Sequence, residues 1–141
     1  MQGRILRPVA LRCLANPTGI ALSPSEKSLF VLEAAANRVL RYTQKPLGVW
    51  HGTVFFQFSG RLGPSAIVVD KNRELIYVAR PEIAELGGGS AVAVLSLGGE
   101  LLKEFIVEGV GPSISGLALS PDGKELVVAE SSTNTILSLT L

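Results

Sequence analysis

A chain of 141 residues is one domain's worth, and 47% apolar against 18% charged residues describes a packed globular interior, not a disordered or fibrous polymer. A net charge of +1 leaves no basic stripe for nucleic acid, and no stretch approaches the roughly 20 apolar residues of a membrane span. Cys13 stands alone, which excludes an intrachain disulfide and a cysteine metal cage, and Met1-Gln2-Gly3-Arg4 lacks the apolar core of a signal peptide, so a cytoplasmic home is expected.

Arg4 to Arg12 carries Pro8 and reads as an outer strand centred on Val9-Ala10-Leu11, because proline is tolerated at a sheet edge but not in its middle. Pro17-Thr18-Gly19 leads into Ile20-Ala21-Leu22, apolar at successive positions as in a strand buried on both faces. A turn at Ser23-Pro24-Ser25-Glu26 precedes a second strand, Leu29 to Leu32. Asn37, which tolerates turn conformations, marks the corner before a third, Arg38 to Tyr42. Phe56-Gln57-Phe58 closes the unit as its outer strand, and His51 falls on the rim between the third and fourth strands.

The same order returns twice. Ser120, Pro121, Lys124, Leu126, Val128, Glu130, Asn134 and Leu137 repeat Ser23, Pro24, Lys27, Leu29, Val31, Glu33, Asn37 and Leu40 at a spacing of 97 residues without a gap. Between them Ala66 to Asp70 and Ile76 to Arg80 form a weaker copy, with Val92 to Leu97 and Lys103 to Val107 as its third and outer strands. Ser120-Pro121-Asp122-Gly123-Lys124 has proline to preset φ and glycine for positive φ; the first copy has Ser25-Glu26 in place of Asp-Gly and a less ideal turn. In the middle copy Pro81 to Gly89 adds about six residues, and Gly87-Gly88-Gly89 reads as a flexible loop, without the strand-glycine-helix context of a phosphate site. Several short strands per 47–50-residue unit predict an all-β protein of three β-propeller blades, in one domain over 1–141 with repeats starting near 16, 63 and 113.

In this frame the chain opens on an outer strand, 4–12, with no inner strands before it, and the last unit has no outer strand after it. Three blades fall short of the usual four to eight and leave apolar blade faces open to water. The expected solution is a homodimer, two arcs making a six-bladed ring in which each N-terminal strand completes the partner's last blade. The alternative is that the chain is half of a longer protein.

Glu33, Arg80 and Glu130 occupy one repeat position, at the end of the second strand. With Glu82 and Glu85 of the insertion they share a face with Thr18, Ser65 and Ser115, which precede the inner strands. These residues are candidates for a channel mouth binding a cation or a polar small molecule; the plainer reading is that each charge satisfies its own corner. Gly111 to Gly116 has Ser115 in place of the second glycine of a nucleophile elbow. His51, the single histidine, is expected to be solvated rather than part of a triad.

Pro17-Thr18-Gly19-Ile20-Ala21-Leu22-Ser23-Pro24, Leu29-Phe30-Val31 and Asn37-Arg38-Val39-Leu40-Arg41-Tyr42 resemble the gluconolactonase, senescence-marker-protein and strictosidine-synthase-like superfamily. So do Gly63-Pro64-Ser65, Val69-Asp70, Tyr77-Val78-Ala79, Gly98-Gly99-Glu100-Leu101-Leu102 and Ser120-Pro121-Asp122-Gly123-Lys124. The resemblance covers nearly the whole chain and about half of a six-bladed member, and its motifs are scaffold motifs shared with NHL-type propellers. It implies a divalent metal, often calcium, at the channel mouth, held by Asn, Asp or Glu, some just before the inner strands. Here Thr18, Ser65 and Ser115 stand at those positions, and calcium needs six to eight oxygens with carboxylates among them. No glutamate matches that of the strictosidine-synthase type. The expectation is therefore a binding or assembly module without a metal cofactor, with a metal-dependent lactone or ester hydrolase, its ligands drawn from the rim, as the alternative.

Overall fold

A computed structural model describes residues 3–83, 86 and 88–141. Three antiparallel sheets follow one another along the chain. Blade 1 contains β1 (Pro17–Leu22), β2 (Ser28–Glu33), β3 (Arg38–Gln44) and β4 (Trp50–Gln57) in that order; blade 2 contains β5 (Ala66–Asp70), β6 (Leu75–Arg80), β7 (Ala91–Ser96) and β8 (Leu101–Ile106). Blade 3 has three strands, β9 (Ile114–Leu119), β10 (Glu125–Glu130) and β11 (Thr135–Thr140), and β11 is its edge. The inner strands are neighbours, β1 beside β5 and β5 beside β9, so the blades fan from a common axis.

Alternation along each strand sends side chains to opposite faces of a blade. The forward face of blade 1, with Phe30, Leu32 and Val39, packs on the rear face of blade 2, with Ile67, Ile76, Val78, Ala93 and Leu95. The forward face of blade 2, with Ala66, Tyr77, Ala79, Val92 and Val94, packs on Leu126 and Val128 at the rear of blade 3, flanked by Leu117, Leu119, Leu137 and Leu139. Each fully buried aliphatic side chain here contributes about 1.5–3 kcal/mol relative to exposure. At Gly63 a Cβ would lie 1.8 Å from the Ala34 carbonyl oxygen of the preceding blade, so only glycine fits this approach.

The turns match their residues. Gly123 takes φ 69°, and Glu26, at the same place in the first copy, is forced to φ 60°. Ser120 and Ser23 each accept a backbone N–H from across the turn, from Glu125 at 3.0 Å and Ser28 at 3.2 Å. Asn37 and Asn134 both turn their corners in the left-handed region, at φ 51° and 54°.

Three expectations need correction. No strand forms at Val9-Ala10-Leu11; the chain from Gly3 to Asn16 is irregular, broken by Pro8 and by positive φ at Arg12 and Asn16. Ala10 and Leu14 instead pack over Val31, Leu40 and Tyr42 on the rear face of blade 1. The outer strand of blade 1 is Trp50–Gln57 rather than Phe56–Phe58, because Gly52 allows the strand to run close over the Tyr42 ring, where a Cβ would meet it at 2.7 Å. His51 is therefore in β4, paired with Thr43 and exposed, not on a corner. The inner strands are also not uniformly buried: β5 is covered, whereas Ile20 in β1 is 63% exposed, because no blade lies against the rear of blade 1.

Candidate functional site

The residues just before the inner strands form a ladder. Thr18 Oγ1 donates to the carbonyl of Pro64 at 2.7 Å, and Ser65 Oγ donates to the carbonyl of Ile114 at 2.5 Å. Pro64 and Ile114 directly precede Ser65 and Ser115, so each hydroxyl reaches the backbone beside the equivalent hydroxyl of the next blade. Ser115 has no next blade within the chain and turns back to the Ala129 carbonyl of its own sheet at 3.4 Å. A hydrogen bond of this kind contributes about 1 kcal/mol net.

The residues ending the second strands are spent on their corners. Glu33 is fully buried; its Oε1 accepts the N–H of Ala15 at 2.9 Å, and its Oε2 pairs with Arg38. Burial alone would raise its pKa, but Arg38 and the Ala15 amide hold it below the ordinary value. Glu130 accepts the amides of Ser113 and Ser132 at 3.0 Å and of Thr133 at 2.8 Å, together with both hydroxyls of Ser132 and Thr133. Against burial, which raises it, these donors lower its pKa to about 2. Both glutamates thereby tie the loop before the inner strand to the corner after the second one.

At the same position in blade 2, Arg80 stacks over Phe58 at 4.4 Å and donates to Glu104 at 2.6 Å and to the carbonyls of Ser59 and Gly60 at 2.7 and 2.9 Å. Arg61 lies 3.2 Å from Glu82 and 3.5 Å from Glu104 and holds the Gly89 carbonyl at 3.0 Å, pinning the base of the insertion. The expected contribution of Glu85 lies outside the described residues. Arg61 and Glu104 were not singled out in the sequence; a charged residue on β8, two strands out from the β6 strand that bears Arg80, was the available signal.

The hydroxyls are thus brought into one ladder, while Glu33, Arg80 and Glu130 each face separate partners. Among the described residues, no three of His, Cys, Asp and Glu group closely enough to share a metal ion. The donor set therefore does not fit the calcium site that the resemblance implies: three neutral hydroxyls are directed at carbonyls, and the nearby carboxylates already carry backbone donors or guanidinium partners. A separate apolar groove of about 410 Å³ runs along the rear of blade 1, between Val9, Ala10 and Leu14 on one side and Ile20, Leu29 and Val31 on the other.

Sheets fanned about neighbouring inner strands define a β-propeller arc, and comparison with known proteins finds similarity to a lactonase and to solved structures that share the fold. Its sequence is 30% identical over 110 residues to lactonase drp35 of Staphylococcus aureus, covering 75% of this chain and 32% of that protein. Its fold superposes on the Xanthomonas campestris gluconolactonase XC5397 with TM-score 0.76 at 22% identity, over 99% of this chain and 42% of the other. It also superposes on regucalcin, a calcium-binding protein of Agrobacterium tumefaciens, with TM-score 0.64 at 25% identity, over 80% and 37% of the two chains. The chain spans about a third of the curated relative and well under half of these two solved propellers. No protein-family model matches it. No helix among the described residues is long and apolar enough to cross a membrane.

Proposed function

We propose that this arc is a binding and assembly module, in which the positions that would ligate a channel-mouth metal have become fasteners between blades. The observation that carries this is the ladder from Thr18 to the Pro64 carbonyl and from Ser65 to the Ile114 carbonyl. Any ligand at the channel mouth would be a small polar molecule reading backbone and hydroxyl groups. Elemental analysis of protein purified without chelator tests this. The module reading expects no stoichiometric calcium, zinc or manganese, and one equivalent of a divalent ion lost in Thr18→Val or Ser65→Ala contradicts it.

The similarity to a lactonase supports a second reading, a metal-dependent lactone or ester hydrolase whose ligands come from rim carboxylates. For Glu33 and Glu130 that role would require releasing the amides they now accept. Lactone hydrolysis that depends on added calcium and is lost in Glu130→Gln, with the fold retained, would favour the hydrolase.

A further inference from the structure

We propose that the cleft between blades 1 and 2, at the end of the strands away from the hydroxyl ladder, binds a small α-amino acid. The cleft has a volume of about 150 Å³ and lies between Pro24, Ser25, Phe30 and Arg41 of blade 1 and Glu74 and Leu97 of blade 2. Both walls belong to a contact interior to the arc. The site goes beyond the reading of the channel mouth and is independent of whether a metal binds there.

The repeat shows what is unusual at this joint. Arg41 pairs with Phe30 across β2 and β3 and shares its forward face. In blade 2 the same place, opposite Tyr77, holds Val94, which is buried between blades 2 and 3. In blade 3 it holds Ser138, opposite Val127. A guanidinium therefore stands in blade 1 where the next joint has a packed valine. Its Nε donates to Ser28 Oγ at 3.2 Å, and Ser28 is itself buried and lies 3.2 Å from Thr43 Oγ1. That anchor leaves both terminal nitrogens without a protein partner among the described residues, and such a pair grips a carboxylate through two parallel bonds.

On the other wall, the cations beside Glu74 in the chain are taken elsewhere: Lys71 pairs with Glu26 and Arg73 with Asp70, each at 2.8 Å. Among the described residues neither Arg41 nor Glu74 is in an ion pair, although both face one cleft. Opposite charges held apart over an apolar floor, Phe30 and Leu97, suit a molecule with its own carboxylate and ammonium beside a short apolar side chain. Ser25 Oγ, 3.2 Å from Ser23 Oγ, adds a hydroxyl at the rim. The cleft has the room of about five waters, which fits a molecule the size of alanine or valine.

Titration of L-valine, followed by the amide resonances of Ser25, Arg41 and Glu74, tests the proposal, with Asp122 and Gly123 at the corresponding turn of blade 3 as the reference. Saturable shifts confined to the first three are expected at millimolar valine. Isovalerate, which lacks the ammonium, and isobutylamine, which lacks the carboxylate, should each bind at least about tenfold more weakly. Arg41→Gln and Glu74→Asn should each weaken valine by a similar factor; asparagine also suits the positive φ of 56° at position 74, so the turn is kept. No saturable shift up to about 50 mM valine would overturn the proposal. So would either analogue binding as well as valine, shifts of equal size at Asp122 and Gly123, or unchanged affinity in a folded variant. The analogues are compared on the unaltered protein, so a variant that fails to fold leaves the test standing. Metal at the hydroxyl positions would contradict the module reading without altering any of these outcomes.

Discussion

The two interior blade contacts and the two open faces use the same strand positions to different ends. Inside, Ile76 and Val78 at the rear of blade 2 are wholly covered by Phe30, Leu32 and Val39. On the open forward face of blade 3, Ile136 occupies the place of Val39 and faces water. The repeat therefore specifies which way each side chain points, and a neighbouring blade decides whether that direction is worth energy.

Substitutions at matched positions break this comparison most clearly. Ile76→Ala should cost about 2–5 kcal/mol in denaturant unfolding, through lost burial and a residual cavity. Ile136→Ala, measured at a concentration where the chain is monomeric, should change stability by less than about 0.5 kcal/mol. Gly63→Ala comes next. Its Cβ must push Ala34 away, so a loss of about 1–3 kcal/mol is expected, against near neutrality for the exposed Gly60→Asn, which meets no neighbour and keeps a residue tolerant of positive φ.

Acid then separates blade 3 from blade 2 at the shared corner position. Glu130 holds a pKa of about 2 when folded against an ordinary value of 4.5, so its contribution is fully present above pH 4.5. It disappears as the pH falls through that interval towards about 2, since the unfolded chain takes up the proton first. Difference melts between wild type and Glu130→Gln should converge as the pH is lowered over this range. At the matched place in blade 2 the acidic partner, Glu104, is held by Arg80 and Arg61 rather than by backbone amides. The smallest effect lies in the ladder: Ser65→Ala should cost about 1 kcal/mol in a thermal melt, and Ser115→Ala close to nothing in the monomer, because only the first hydroxyl spans two blades.

Most of the strand order was legible because the apolar runs of one unit recur in the next two, and Asn37, Asn134 and Gly123 punctuate the same turns. The outer strand of blade 1 was misplaced because Trp50 to Val54 mixes His51, Gly52 and Thr53 into a strand that is largely solvent-facing, where the apolar signal fades. Val9-Ala10-Leu11 has strand composition but lies over the rear face of blade 1 rather than beside a sheet edge, and composition does not encode what is adjacent. Hydroxyl residues at one repeat position, Thr18, Ser65 and Ser115, were visible as a pattern. Their acceptors were not, since a carbonyl contributed by the following blade carries no side-chain signature.

Calcium titration followed by the amide resonances of Thr18, Ser65 and Ser115 addresses the fastener reading most directly. Resonances that stay in place to millimolar calcium agree with hydroxyls committed to the next blade's backbone. Saturable shifts centred on these three residues would mean that an ion, and not the neighbouring carbonyl, is what they hold.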